Sequence, residues 1–403
     1  MASNWEDMKF IDIIELIGGG TPKTSIPEYW NGDIPWLSVK DFNNDNRYVY
    51  VTEKSITTLG LQNSSTKLLR KDDIIISARG TVGEIAMIPF SMAFNQSCYG
   101  MRAKDFVDKT FLYYLTKFCI NKLKAISHGS VFDTITRDTF ANIDICIPNI
   151  KTQQKIAKVL SAIDDKIELN NSINKNLEQQ AQAIFKSWFV DFEPFGGTMP
   201  DFAQLVPIEK VCKIVTKGTT PTTLGFSFVN SGINFIKAES ILSNHSFDYN
   251  KFGYIDEIAH EKLSRSVLES NDIVFTIAGT LGRFAIIDKD VIPANTNQAV
   301  AIIRTDIDKI EPEYLYTFFL GNWHNNYYSK RIQQAVQANL SLTTIKSLPI
   351  ILLSKEYRVK YLNIIEPILK LIKHNEKENR ILIQLRDTLL PKLMSGEIDV
   401  DKV

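Results

Sequence analysis

Cysteine and histidine are scarce in this chain, with four of the first and five of the second among 403 residues. Cys98, Cys119, Cys146 and Cys212 stand far apart with neither CxxC nor CxxH spacing. Reduced, buried thiols are therefore expected ahead of a disulfide framework or a structural zinc site. His128, His245, His260, His324 and His374 are isolated from one another, so no metal site is expected. Net charge is missing too, since 46 Lys and Arg offset 46 Asp and Glu. Such a chain attracts a polyanion only through local segregation of its charge. No apolar run approaches the ~18–20 residues that a bilayer crossing needs. The first ten residues hold Trp5, Glu6, Asp7 and Lys9 rather than an apolar signal core, and a soluble, cytoplasmic protein is the expectation.

The tools of catalysis are absent as well. Gly18 to Ser25 (GGGTPKTS) has the composition of a phosphate loop, but Pro22 separates the glycines from Lys23 and no GK[ST] follows. A tight turn beside Pro22 is the better reading. Neither GxSxG nor GxGxxG occurs. Asp72-Asp73 and Asp164-Asp165 are adjacent pairs whose side chains point apart, and solvated caps explain them better than acid–base work. No catalytic residue, metal ligand or cofactor is expected in this chain, which suits a reader or a scaffold.

What the chain does have is a globular composition, 44% hydrophobic and 23% charged, over a length that calls for more than one core. It also repeats itself. Pro22, Asp73-Ile74 and Gly80-Thr81-Val82-Gly83 recur 199 residues later as Pro221, Asp272-Ile273 and Gly279-Thr280-Leu281-Gly282. Asn95-Gln96 recurs after 202 residues as Asn297-Gln298, and Phe111-Leu112-Tyr113 after 203 as Tyr314-Leu315-Tyr316. An offset that drifts upward is what loop insertions produce in a duplicated unit. Asp73 to Ser77, Asp272 to Thr276, Ile143 to Ile147 and Pro349 to Leu353 read as strands. Helices are expected around Phe111 to Lys124 and Pro312 to Ser329, making each globular part α+β.

Each half then ends in an amphipathic ladder. The first carries Ile156, Leu160, Ile163, Ile167, Asn170, Asn174, Leu177, Ala181, Ile184 and Trp188. The second carries Tyr361, Ile365, Ile368, Ile372, Asn375, Asn379, Leu382, Arg386, Leu389 and Leu393, every rung 205 residues beyond its partner. Alternating steps of four and three mark a coiled-coil seam. Two helices each packed on its own domain is the alternative. The paired asparagines at each midpoint favour the seam, since Asn meets Asn in either orientation and four amides could satisfy one another. Pro367 should kink the second helix or mark its start. A helix from Gln154 to Trp188 would span ~52 Å, and two of them pack best antiparallel. The fold expected is two repeated globular domains separated by a coiled coil of two long antiparallel helices, with pseudo-two-fold symmetry.

At this point a family resemblance enters. Leu385 to Ile398 (LRDTLLPKLMSGEI) resembles the end of the specificity subunits of type I restriction-modification systems, and Gln153 to Trp188 is similar to their central helix. Gly18 to Pro22 and Gly80 to Gly83 resemble motifs of their target-recognition domains. The resemblance implies recognition domains at residues 1–150 and 196–353 and spacer helices at 151–195 and 354–403. It implies a non-catalytic subunit that reads one half of a bipartite double-stranded DNA site with each domain. Two methyltransferase subunits and motor-nuclease restriction subunits would be its partners, and S-adenosylmethionine, ATP and magnesium would belong to them. The rival readings are a coiled-coil scaffold without DNA reading and a single-chain DNA-modifying enzyme with degenerate motifs.

Reading DNA needs side chains that pair with base edges and cations that meet phosphates. In the first domain the candidates are Lys23, Arg79, Thr81, Gln96, His128, Ser130 and Arg137. In the second they are Lys217, Thr219, Arg283, Asn297, Gln298, Arg331, Gln334 and Asn339. For each, capping a turn, satisfying backbone groups or pairing with an acid (Arg79 with Glu84, for instance) is the bland alternative. Arg79 aligns with Ala278, so if Arg79 reads a base the second domain must do that job otherwise. Lys155, Lys158, Lys166 and Lys186 suit a solvated or partner-facing stripe, and Trp188, Phe189 and Phe192 a packed junction.

Overall fold

The computed structural model describes residues 5–42, 46–127, 134–325, 327 and 339–402. It divides into two units, one holding the chain up to Asn171 together with Lys377 onward, the other running from Ser172 to Glu376.

In the first unit β1 (Trp5–Lys9) pairs antiparallel with β10 (Asp144–Pro148). A four-stranded antiparallel sheet has the order β2 (Ile14–Gly18), β9 (Cys98–Ala103), β6 (Ile74–Ser77), β7 (Ile85–Met87). A second has the order β4 (Lys54–Ile56), β3 (Trp30–Leu37), β8 (Met92–Phe94), β5 (Leu68–Leu69), with β3 and β8 parallel. The second unit repeats this strand for strand. Its β11 (Gln204–Pro207) pairs with β20 (Pro349–Leu352). One sheet has the order β12 (Cys212–Lys217), β19 (Val300–Thr305), β16 (Ile273–Thr276), β17 (Phe284–Ile286). The other has the order β14 (Gly253–Ile255), β13 (Ile233–Ile236), β18 (Ala294–Thr296), β15 (Val267–Leu268), with β13 and β18 parallel. Helix Lys109–Ser127 falls where the sequence pattern puts it, while helix Pro312–Leu320 starts as expected but ends at a turn at Gly321, short of Ser329.

The apolar runs of β6 and β16 are explained by burial on both faces. Ile74 and Ile76 enter the core beneath helix Lys109–Ser127, while Ile75 faces a second core with Leu37, Phe42 and Phe94. In β16, Ile273 and Phe275 face one core and Val274 the other. With both pleat directions buried, no polar alternation is possible. Each strand starts from a residue at positive φ, Asp72 at 69° and Asn271 at 72°.

The next residue corrects the reading of these acids as solvated caps. Asp73 is 3% exposed; it accepts from the Arg70 amide at 2.7 Å and pairs with Arg102 at 2.8 Å. Asp272 does the same with the Glu269 amide at 2.8 Å and Arg304 at 2.7 Å. Both carboxylates need a fixed cation because burial leaves them no water.

The two ladders form the central helix Ile150–Phe189 and the C-terminal helix Lys355–Met394, 40 residues each. In the first unit Asp164 meets Arg386 and Asn170 meets Asn379. In the second, Asn174 meets Asn375, and the Trp188 and Tyr361 rings lie 5.3 Å apart. One residue number falls as the other rises, so the helices are antiparallel and pack on each other. All sixteen apolar and asparagine rungs chosen as the seam, from Ile156 to Leu393, are buried or half-buried. Pro367 neither starts nor ends its helix: it sits exposed within it. The four asparagines do not close on themselves. Register makes two separate pairs, with Glu378, Asn171 and the Ile372 carbonyl as further partners, and Asn170 Oδ1 stays without one.

Phe185, Trp188 and Phe189 enter the core of the second unit with Tyr314, Phe318 and Tyr361, as expected of a packed junction. Two histidines join this aromatic mass. His245 stacks on Phe284 with centroids 3.9 Å apart, and His324, 2% exposed, packs against Phe275, Phe284 and Phe319. Burial holds both down to about 4, with the neighbouring His245 adding to the effect on His324. The unfolded chain takes up these protons near pH 6.5 and the folded chain does not. Stability therefore falls as pH drops from about 6.5 to about 4 and falls no further from this source. His324 alone contributes about 3 kcal/mol across that window. Denaturation midpoints of the wild type and of His324→Phe between pH 7.5 and 4 test this, and an unchanged pH slope in the variant contradicts it.

Candidate nucleic-acid interface

In the first unit three loops meet at one rim. Gly20 donates to the Phe94 carbonyl at 2.9 Å, Trp36 Nε1 donates to the Gly20 carbonyl at 3.0 Å, and Thr21 Oγ1 donates to Gln96 Oε1. Gly19 allows this approach, since a Cβ there would lie 2.0 Å from the Asn95 carbonyl oxygen. Asn95 Oδ1 accepts from the Ser97 amide at 3.1 Å, and the Ser97 carbonyl accepts from Ala78 at 2.8 Å and Arg79 at 3.2 Å. The turn after β6 closes by Gly83 donating to the Ser77 carbonyl at 2.9 Å, with Gly80 and Gly83 at positive φ.

The second unit builds the same rim from Lys217–Pro221, Ile277–Gly282 and Asn297–Ala299. A Cβ on Gly218 would lie 2.0 Å from the Thr296 carbonyl oxygen. Thr219 donates to that carbonyl at 3.1 Å, and Thr220 Oγ1 donates to Gln298 Oε1. Asn297 Oδ1 accepts from the Ala299 amide at 3.1 Å, and Ile277 donates to the Ala299 carbonyl at 2.8 Å. Gly282 donates to the Thr276 carbonyl at 3.0 Å. The glycine-rich stretch is thus a turn locked under a neighbouring loop.

The sequence-chosen residues divide by what they do here. Lys23, Arg79, Thr81, Gln96 and Arg137 are exposed, and Arg137 reaches the Leu16 carbonyl at 3.5 Å. Arg79 and Glu84 form no ion pair. In the second unit Lys217, Gln298 and Asn339 are exposed. Asn297 spends its carbonyl oxygen on its own turn, and Arg283 donates to the Ile241 carbonyl at 3.0 Å. Thr219 Oγ1 accepts from Arg265 Nη2 at 3.1 Å. His128, Ser130, Arg331 and Gln334 lie outside the described residues. Arg265 was not among the residues chosen; its one signal is the repeat offset, which puts it opposite Thr66.

The first unit also holds a largely buried polar network. Tyr114 Oη donates to Asp164 Oδ2 at 2.6 Å, and Arg386 Nη1 donates to Asp164 Oδ1 at 2.8 Å. Arg47 pairs with Asp165, and its amide donates to Glu168 Oε1 at 2.7 Å. Burial first, and then the Asp164 carboxylate, push the Tyr114 phenol up, so it stays protonated and donates. Asp164, 5% exposed, is therefore not a solvated cap, whereas Asp165 is solvent-exposed and pairs with Arg47 from within the helix. Both lie mid-helix and tie it to Tyr114, Arg386 and Arg47.

A family model described as the type I restriction modification DNA specificity domain matches residues 2–179 and 200–383. The chain belongs to this family. It is a non-catalytic specificity subunit that reads DNA through paired recognition domains, which displaces the single-chain enzyme and scaffold readings. It is 29% identical to the MjaIX specificity subunit of Methanocaldococcus jannaschii over 99% of this chain and 95% of that protein. It is 28% identical to the HindI specificity subunit of Haemophilus influenzae over 69% of this chain and 74% of that one. The S subunit of a type I system from M. genitalium shares its fold with a TM-score of 0.60 at 17% identity, covering 97% of this chain and 96% of that one. Among the described residues no group of three or more His, Cys, Asp or Glu could hold a metal ion, and no helix is long and apolar enough to cross a membrane.

Proposed function

We propose that the three-loop rim of each unit is its DNA-reading face, and that residues 1–150 and 196–353 are the two recognition domains. The observation that carries this is one scaffold with two sets of exposed side chains. The same internal hydrogen bonds recur, yet exposed Arg79 faces Ala278 across the repeat, exposed Lys217 faces Gly18, and exposed Glu84 faces Arg283, which is turned inward. A rigid frame with variable tips is what reading two different half-sites requires. Lys23, Arg79, Thr81, Gln96 and Arg137, with His128 and Ser130, serve the first half-site. Lys217, Gln298 and Asn339, with Arg331 and Gln334, serve the second, while Thr219, Arg283 and Asn297 position its loops.

The helical segments 151–195 and 354–403 act as the spacer, and their outer faces with the recognition-domain flanks receive two methyltransferase subunits. Restriction subunits join to form the cleaving complex in the cytoplasm, and S-adenosylmethionine, ATP and magnesium act in those partners. Deleting one heptad from both helices at matching levels removes ~10 Å of rod, or about three base pairs of B-form rise. Sequencing the methylated sites of a host carrying that variant should return unchanged half-sites with a shorter gap. Altered half-sites with an unaltered gap would sink the spacer reading.

A further inference from the structure

The two rims draw their positive charge from different places. In the first unit Arg79 stands exposed on the turn after β6, and no ion pair of it is found among the described residues. The second unit has Ala278 there, and its Arg283 is turned inward to the Ile241 carbonyl. Arg265 approaches the same rim from another side. It lies exposed in the short turn Ser264–Ser266 before β15, and its Nη2 donates to Thr219 Oγ1 at 3.1 Å. Thr219 is itself pinned by its amide to the Thr296 carbonyl at 3.1 Å. No ion pair of Arg265 is found among the described residues.

The first unit closes this corner instead. Thr66, 199 residues before Arg265, is 2% exposed and donates its hydroxyl to the Phe94 carbonyl at 2.7 Å. Gly20 stands where the second unit has Thr219, and a Cβ there would lie 2.3 Å from the Thr66 nitrogen. One repeat thus packs Gly20 on Thr66, while the other opens the corner and fills it with a threonine and a guanidinium.

We infer that Arg265 is a DNA-contacting, specificity-determining residue of the second recognition domain, supplying the guanidinium that Arg79 supplies to the first. This rests on the reading of the rim as the DNA face. A guanidinium has five N–H donors, and one bond to Thr219 orients the fork while leaving the others free. A planar fork held in advance suits the O6 and N7 of guanine or two phosphate oxygens, and it surrenders less rotamer freedom on binding.

The test uses the full chain assembled with its methyltransferase subunits and a duplex carrying its bipartite site. Anisotropy titrations compare Arg265→Ala, Arg265→Lys and Arg79→Ala on that duplex, on a panel of single-base-pair variants, and at two salt concentrations. Arg265→Ala should weaken binding by about 5- to 150-fold. A guanine contact shows as lost discrimination at one position of one half-site, without rescue by Arg265→Lys. A phosphate contact shows as uniform weakening, a salt slope smaller by about one, and partial rescue by Arg265→Lys. The inference is overturned if Arg265→Ala assembles and binds like the wild type throughout, or if its loss of discrimination falls in the same half-site as that of Arg79→Ala. Weakening by Arg79→Ala alone would leave the DNA-reading face standing; if neither variant alters binding, that reading falls too.

Discussion

Asp164→Ala should destabilise the first unit by about 3–5 kcal/mol, the usual result of removing one partner from a buried ion pair. Asp164 is 5% exposed and takes two hydrogen bonds, from the Tyr114 phenol at 2.6 Å and the Arg386 guanidinium at 2.8 Å. Without it, Arg386 retains, among the described residues, only Asp387, its sequence neighbour, at 2.8 Å. The Tyr114 hydroxyl retains, among the described residues, only the Arg47 Nη1 donor at 3.5 Å. A half-buried guanidinium in that state either drags water into the helix contact or pulls the C-terminal helix away. Hydrogen exchange across residues 109–127 and 377–394 reads the change locally, and a denaturant titration gives its size. Asp164→Leu combined with Arg386→Leu should recover much of the loss, because both charges leave together and the two helices regain an apolar contact. A single variant that unfolds with the wild-type midpoint would show that the network is neutral to stability.

The contrast between Asp164 and its surroundings shows what the sequence could tell. The duplication, the strands around Ile74 and Ile273, and both long helices were legible because they rest on spacing, and spacing survives in a string of letters. A short continuous apolar run marks a strand buried on both faces, and an apolar period of three to four sets which face of a helix is buried whatever covers it. The roles of Asp73, Asp164 and Asp272 were not legible. Their partners Arg102, Tyr114, Arg386 and Arg304 lie 29, 50, 222 and 32 residues away, and nothing local distinguishes a paired carboxylate from a solvated one. Arg386 was the one hint, a charge on an apolar rung that demands an acid. The recognition rim was half-legible for the same reason. Its glycines and its Asn-Gln pairs recur in register and mark the frame, but which side chains the frame leaves free depends on hydrogen bonds such as Arg283 to Ile241.

Asn379→Leu should weaken the helix contact in the first unit by about 1–3 kcal/mol, the desolvation penalty of stranded buried amides. Asn170 is fully buried and donates to Asn379 Oδ1 at 2.9 Å and Glu378 Oε2 at 2.7 Å, while Asn379 Nδ2 donates to Asn171 Oδ1 at 2.8 Å. Leucine at 379 removes both of the bonds it makes and leaves Asn170, already lacking a partner for Oδ1, with one. Adding Asn170→Leu should return the stability or exceed it, because two leucines replace a partly satisfied polar layer. That gain has a counterpart in specificity. Apolar rungs tolerate a slip of one heptad, whereas an amide layer strands its members in any register but one. The double variant should therefore unfold at higher denaturant yet give mixed registers when the helices are cross-linked through introduced cysteines. Wild-type stability in the single variant, or a double variant as weak as the single, would remove the asparagines from the set of register-determining residues and leave that task to the Asp164–Arg386 pair.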